Sequence, residues 1–223
     1  MNVLEVLRRI EEQKLQESQK SELELVDVST RLKLWNALSN AGIDWSDWGK
    51  LGTTKPLRTL WKEIKKGESV LFRKPDGRLL RVVKKAAIDV TYKSPSGQSF
   101  RLFEEFYENG NWRRREIKEK TLKRGVQEKI LPGETPEEAA VRGLEEEIGI
   151  NGLTLSETEK LLQVHQGIIV EERKSRGYPG LLTKYQFSDF TFELPERFYN
   201  SDGYFVKEEG FNTRLVWEQI KSI

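Results

Sequence analysis

The sequence predicts an α/β fold, and three observations carry that prediction. Residues 69–117 are short alternating apolar and polar stretches separated by turn formers, the period of half-buried strands. The same alternation returns over 161–194. Between the two blocks stands one helix with its own start and stop signals, over 136–148.

Residues 1–66 read as an N-terminal helical extension and 67–223 as the main domain. In the extension, Val3, Val6, Leu7 and Ile10 share one face of a helix over 2–26 whose second half is highly polar. Asp27 to Thr30 starts a second helix bearing Leu32, Leu34, Trp35 and Leu38 and stopping near Gly42. A third starts at Thr53-Thr54-Lys55-Pro56 and carries Leu57, Leu60, Trp61 and Ile64 to Gly67. Trp45 and Trp48, three apart among turn formers, are expected to be buried where the extension folds back on the domain.

In the first strand block, 69–74 and 79–83 flank the turn Pro75-Asp76-Gly77, and Ala86, Ile88, Val90 and Tyr92 alternate as a further strand. After the turn Ser94-Pro95-Ser96-Gly97, residues 100–107 pair with 112–117 through Asn109-Gly110. Arg113, Arg114, Arg115, Lys118, Lys120, Lys123 and Arg124 follow closely. They either draw a polyphosphate towards the central helix or keep a strand edge from aggregating. Without interleaved aromatics they make no nucleic-acid platform.

Past the central helix, a strand over 161–170 holds the only histidine, His165, read as a structural hydrogen-bonding residue. Residues 171–180 form a polar loop of the kind that closes over substrates. A strand over 181–194, bulged at Ser188-Asp189, pairs with the one ending at Val170. A turn region with Phe198 and Tyr199 leads to a final helix over 213–223 carrying Leu215, Val216, Trp217 and Ile220.

Composition narrows the function classes. The 223 residues, 36% hydrophobic and 33% charged, suit one medium domain with an appendage. A formal charge of +2 gives no global electrostatic case for nucleic acid or an anionic membrane. The absence of cysteine excludes disulfides and thiolate metal sites and fits a reducing compartment. No apolar run reaches the roughly 20 residues of a membrane span, and the opening MNVLEVLRRIEEQ lacks the long apolar core of a secretory signal. A soluble, cytoplasmic protein is expected.

The chemistry is concentrated in LPGETPEEAAVRGLEEEIGI, residues 131–150. Thr135 is a good N-cap, Pro136 suits the first helical position, and Glu138 three residues on completes a capping box. Ala140, Val141, Leu144 and Ile148 form an apolar stripe, and Gly149 ends the helix. Glu146 and Glu147 lie three and four residues after position 143, hence beside it, while Glu145 points elsewhere. Carboxylates gathered this way suit a hard cation such as Mg²⁺, which takes one or two of them with phosphate oxygens and water. A solvated acidic face is the other reading.

The wider pattern resembles the Nudix box: Gly, five residues, Glu, seven residues, Arg-Glu, an aliphatic, any residue, Glu-Glu, any residue, Gly and an aliphatic. Glu134, Arg142, Leu144, Glu146, Glu147, Gly149 and Ile150 fall on its positions. Two residues depart. Glu128 stands where the first glycine belongs, so the loop over 125–132 either differs in shape or has its glycine shifted to Gly125, and Gly143 stands where the Glu of Arg-Glu belongs. A mid-helix glycine costs about 1 kcal/mol relative to alanine. Something must therefore compensate, such as the close approach of a ligand or of neighbouring backbone. Gly143 equally suits a site that has lost its catalytic duty.

The resemblance implies a Nudix-type α/β/α sandwich with a mixed sheet. It implies a divalent-metal-dependent hydrolase of nucleoside-diphosphate-linked, pyrophosphate-containing small molecules, using Mg²⁺ or Mn²⁺. Glu146 and Glu147 are then the metal ligands, Arg142 orients one of them, and Glu134 is a supporting acid. Glu208 and Glu209 are candidates to replace the carboxylate missing at 143. For a substrate base, Tyr107, Trp112, Tyr178 and Tyr185 are candidate stacking residues. The alternative is an impaired Nudix domain that binds a nucleotide, or a protein partner through the N-terminal helices. The resemblance also admits a homodimer.

Overall fold

The computed structural model describes residues 23–50, 54–108, 111–114, 125–208 and 211–220. Its organising element is one strand, β3 (Leu79–Lys93), with which four others pair directly. The sequence suggests two strands here, 79–83 and 86–92. The chain instead runs straight through Lys84 and Lys85, because neighbours pair with it along both edges. β2 (Val70–Arg73), β6 (Val126–Lys129) and β4 (Ser99–Glu108) follow one another antiparallel along one edge. The other edge carries β8 (Leu182–Glu193), parallel, from Leu80 to Thr91.

The remaining strands extend this frame. β1 (Glu24–Leu25) pairs with β2, so the end of the first expected helix is a strand where it enters the described residues; 2–22 lie outside them. β5 (Asn111–Arg114) pairs with β4 as the second hairpin requires. β7 (Leu162–Lys174) pairs antiparallel with β8 and runs four residues beyond the expected strand into the segment read as a loop. The irregularity expected at Ser188-Asp189 lies on the facing strand, between Val164 and Ile168 of β7.

The chain's end corrects the sequence reading. Of 213–223, expected to form a last helix, the residues to Ile220 lie in strand β10 (Phe211–Ile220), held between β4 and β9 (Tyr204–Glu208), and 221–223 lie outside the described residues. Thr213 and Leu215 are buried in alternation. A short apolar run such as Leu215–Val216–Trp217 fits either period, and the free partners on both sides decide for the strand. β6 is a second correction, since 125–132 reads as a loop in the sequence. The short helix α4 (Leu155–Leu161), capped by Thr154 and Glu157, has no counterpart in the sequence reading.

Helices cover both faces of β3. On one face Ala86, Ile88, Val90 and Tyr92 form a core with Ala139, Ala140, Leu144 and Ile148 of α3 (Pro136–Ile148). On the other, Leu79 packs with Leu34, Ala37 and Leu38 of α1 (Arg31–Asn40) and Leu60 of α2 (Leu57–Lys65). Alternate residues of a strand point to opposite faces, so one strand serves both cores. Both helices fall within a residue or two of the sequence signals. Trp48 is buried, packs on Tyr178 with ring centroids 5.2 Å apart, and donates from Nε1 to the Pro179 carbonyl at 3.1 Å. Trp48 is buried as expected, whereas Trp45 is only partly buried and packs on Trp35, ring centroids 4.9 Å apart.

Charge also ties α2 to the sheet. Glu63 lies between Arg81 of β3 (2.5 Å) and Lys129 of β6 (2.8 Å), and Lys129 reaches Glu68 at 2.6 Å. Gly67, with φ of 75°, sits so close to Pro132 that a side chain there would collide with its ring. The segment after α2 therefore abuts the loop that leads into α3. Among the described residues no helix is long and apolar enough to cross a membrane.

Candidate active site on the capped helix

α3 forms as its sequence dictates. The Thr135 hydroxyl accepts from the Glu138 N–H at 3.2 Å, and the Glu138 carboxylate accepts from the Thr135 N–H at 2.8 Å. Gly149 closes the helix in the left-handed conformation, φ 69°. The apolar stripe fixes the helix's rotation against β3, which leaves Glu145 and Glu146 exposed and Glu147 partly buried.

Arg142 is the centre of the polar side. Its Nε and Nη2 donate to the two oxygens of Glu134 at 2.9 and 3.0 Å, a two-point clamp. Nη2 also donates to the Lys129 carbonyl at 2.7 Å. Nη1 pairs with Glu128 at 3.0 Å and, more distantly, with Glu146 at 3.7 Å. Arg142 thus fastens α3 to β6 and to the loop before the helix, and the expected pairing with a box carboxylate is its loosest contact. The Glu134 carboxyl is held below the ordinary carboxylate range, first by the Arg142 hydrogen bonds, against some burial, with help from the Leu131 N–H at 2.8 Å. Changing Glu134 to Gln takes away the charge of the clamp. It should lower the unfolding free energy by about 1–3 kcal/mol, read by denaturant titration.

Position 143 resolves the glycine question locally. A Cβ there would meet Glu128 Cβ at 2.8 Å and Val126 Cγ1 at 3.4 Å. Strand register explains the contact: Glu128 faces Ala86 and Val126 faces Ile88 across the β3–β6 ladder, so both point to the helix side. Lys129 points the other way, to Glu63 and Glu68. The compensation for a mid-helix glycine is the stem of a glutamate. Gly125 has a comparable reason, since a Cβ there would lie 2.8 Å from the Leu102 carbonyl oxygen.

The other candidates are distributed unevenly. β9 packs against α3, which brings the strand of Glu208 alongside the box helix. The Glu208 side chain and Glu209 lie outside the described residues, as does 115–124 of the basic run. Tyr178 is buried beneath Trp48 and Arg81, out of reach of any substrate base. Tyr185 lies beneath the Arg173 guanidinium, 5.1 Å from ring centre to Cζ. Tyr107 and Trp112 touch edge to face at 5.4 Å, with Phe205 beside them and Arg214 over the indole at 4.4 Å. His165 shares a hydrogen bond with Thr191 across the β7–β8 pair at 2.5 Å, a structural contact.

Among the described residues no three His, Cys, Asp or Glu side chains converge as a ready-made metal cage. Mg²⁺ seldom needs one, because it keeps waters and binds through one or two carboxylates together with substrate phosphates. The exposed Glu146 next to Glu147 fits that demand.

The NUDIX domain family matches residues 105–184, a span that begins in β4 and ends in β8 and contains the whole box. This span is a NUDIX domain. Three solved structures are similar at a distance. The E. coli dihydroneopterin triphosphate pyrophosphohydrolase is 20% identical over 61% of this chain and 79% of its own, with a TM-score of 0.37. A C. elegans Ap4A hydrolase binary complex is 18% identical over 61% and 77%, with a TM-score of 0.33. A second C. elegans Ap4A hydrolase structure is 22% identical over 52% and 71%, with a TM-score of 0.30. Likenesses this distant add nothing to the site of this Nudix domain. No curated protein matches its sequence.

Proposed function

We propose that this Nudix domain is a divalent-metal-dependent pyrophosphohydrolase of nucleoside-diphosphate-linked small molecules. One observation carries the reading: the Glu134–Arg142 clamp and the capped helix hold the box helix firmly while Glu146 stays 60% exposed. Such a helix presents carboxylates to a cation that bridges them to a phosphate ligand. Glu146 and Glu147 would hold Mg²⁺ or Mn²⁺. When bound, the ion supplies charge neutralisation on the phosphates and an activated water. Arg142 keeps the helix in register with β6, and Glu134 keeps Arg142 in place.

A second reading, a nucleotide-binding or protein-interaction module, draws on Gly143, which leaves the helix one carboxylate short of the family pattern. Hydrolysis separates the two. ADP-ribose, dinucleoside polyphosphates, NAD(H) and nucleoside triphosphates are incubated with Mg²⁺ or Mn²⁺, and phosphate or nucleotide release is followed. Turnover of at least one substrate is expected, reduced at least about a hundredfold in the Glu146→Gln/Glu147→Gln variant. No turnover, with thermal stabilisation by one of the nucleotides, makes the chain a binding module instead.

A further inference from the structure

The two departures from the box are complementary. A glutamate stands where the pattern has glycine, and a glycine where it has glutamate. In the fold those two positions face each other: a Cβ on Gly143 would lie 2.8 Å from Glu128 Cβ. Two carboxylate-bearing stems cannot both start from that space, and one can.

We propose that Glu128, from strand β6, supplies the carboxylate that the helix lacks at position 143, as a third acidic group of the metal site beside Glu146 and Glu147. This rests on the hydrolase reading above. Glu128 reaches the polar side of α3 from the correct face of β6, in line with Val126. Its Oε1 pairs with Arg142 Nη1 at 3.0 Å and accepts the Lys129 N–H at 2.8 Å, and the described contacts leave Oε2 out. The same Arg142 nitrogen faces Glu146 Oε1 at 3.7 Å, so the strand carboxylate and the helix carboxylate flank one guanidinium, and an ion would have to draw these two and Glu147 together. Strand β6 is pinned by its ladder to β3, and Lys129 anchors its end in the Glu63–Glu68 pair. The carboxylate is therefore carried by a rigid element, as a helical one would be.

The test titrates Mn²⁺ into each variant, following free Mn²⁺ by electron paramagnetic resonance, and measures hydrolysis and melting temperature alongside. Glu128→Gln keeps the shape and loses the charge. It should weaken Mn²⁺ binding about tenfold or more while remaining folded. The exchange variant Glu128→Gly/Gly143→Glu, which moves the carboxylate to the helix without adding a second stem, should recover Mn²⁺ affinity to within about threefold of wild type. Wild-type Mn²⁺ binding in Glu128→Gln, together with its loss in Glu146→Gln/Glu147→Gln, overturns this proposal and leaves the hydrolase reading standing. An exchange variant that folds and binds no better than Glu128→Gln also overturns it. Absence of Mn²⁺ binding by the wild type, with or without nucleotide, sinks the hydrolase reading itself.

Discussion

Replacing Glu63 by alanine should lower the unfolding free energy by about 3–5 kcal/mol, the range for breaking a buried ion pair from one side. Glu63 and Arg81 each expose only 5% of their side chains. Burial alone would raise the Glu63 carboxyl. The Arg81 and Lys129 cations more than offset this and hold it at about 2. Without Glu63, Arg81 retains among the described residues the face of Tyr178 at 5.1 Å, and Lys129 retains Glu68.

The same pair makes a pH prediction with a defined sign. A carboxyl whose folded pKa is depressed contributes its stabilisation above its unfolded value, here the ordinary 4.5, and loses it as pH falls towards about 2. The stability gap between wild type and Glu63→Gln should therefore narrow by about 3 kcal/mol between pH 5 and pH 2, read as denaturant midpoints. A gap that stays constant with pH would mean that Glu63 acts by packing and neutral hydrogen bonding alone. Glu63→Leu/Arg81→Met should recover much of the single-variant loss, because it leaves no unpaired charge behind.

The fate of each sequence expectation follows from how local its cause is. The capping box, the Pro136 start and the Gly149 stop are decided within a few residues, and α3 matches them at both ends. α1 and α2 were legible for the same reason. The last strand was not: Leu215–Val216–Trp217 takes its period from β4, far earlier in the sequence, and from β9, its hairpin neighbour, which the sequence does not mark as a strand. β6 is four residues long and exists because β3 leaves a stretch of edge vacant between β2 and β4. Missing β6 concealed the main feature of the site. Glu128 and Gly143 each read as a departure from a pattern, and only the strand register shows that they answer one another. The signal was present in the sequence as the reciprocal swap of Glu and Gly, but pairing the two positions needs the strand.

Gly143→Glu, which completes the box as the pattern has it, should give a less stable protein with less hydrolysis. The new Cβ falls 2.8 Å from Glu128 Cβ, the fixed base of a side chain whose own backbone is held by the β3 ladder. The helix cannot retreat either, because Ala139, Ala140 and Leu144 are fully packed against the same sheet. Overpacking of this kind costs about 1–3 kcal/mol, occasionally more, and two carboxylates then compete for Arg142. Against this stands about 0.5–1 kcal/mol gained by removing a glycine from mid-helix. A net loss of about 1–2 kcal/mol corresponds to a fall of roughly 2–8 °C in melting temperature. Gly143→Ala separates the two causes, since it adds the clash without the charge and should lose stability as well. If Gly143→Glu instead melts at or above the wild-type temperature and hydrolyses faster, the glycine marks a decayed catalytic position. In that case Glu128 is only a filler of the space it left.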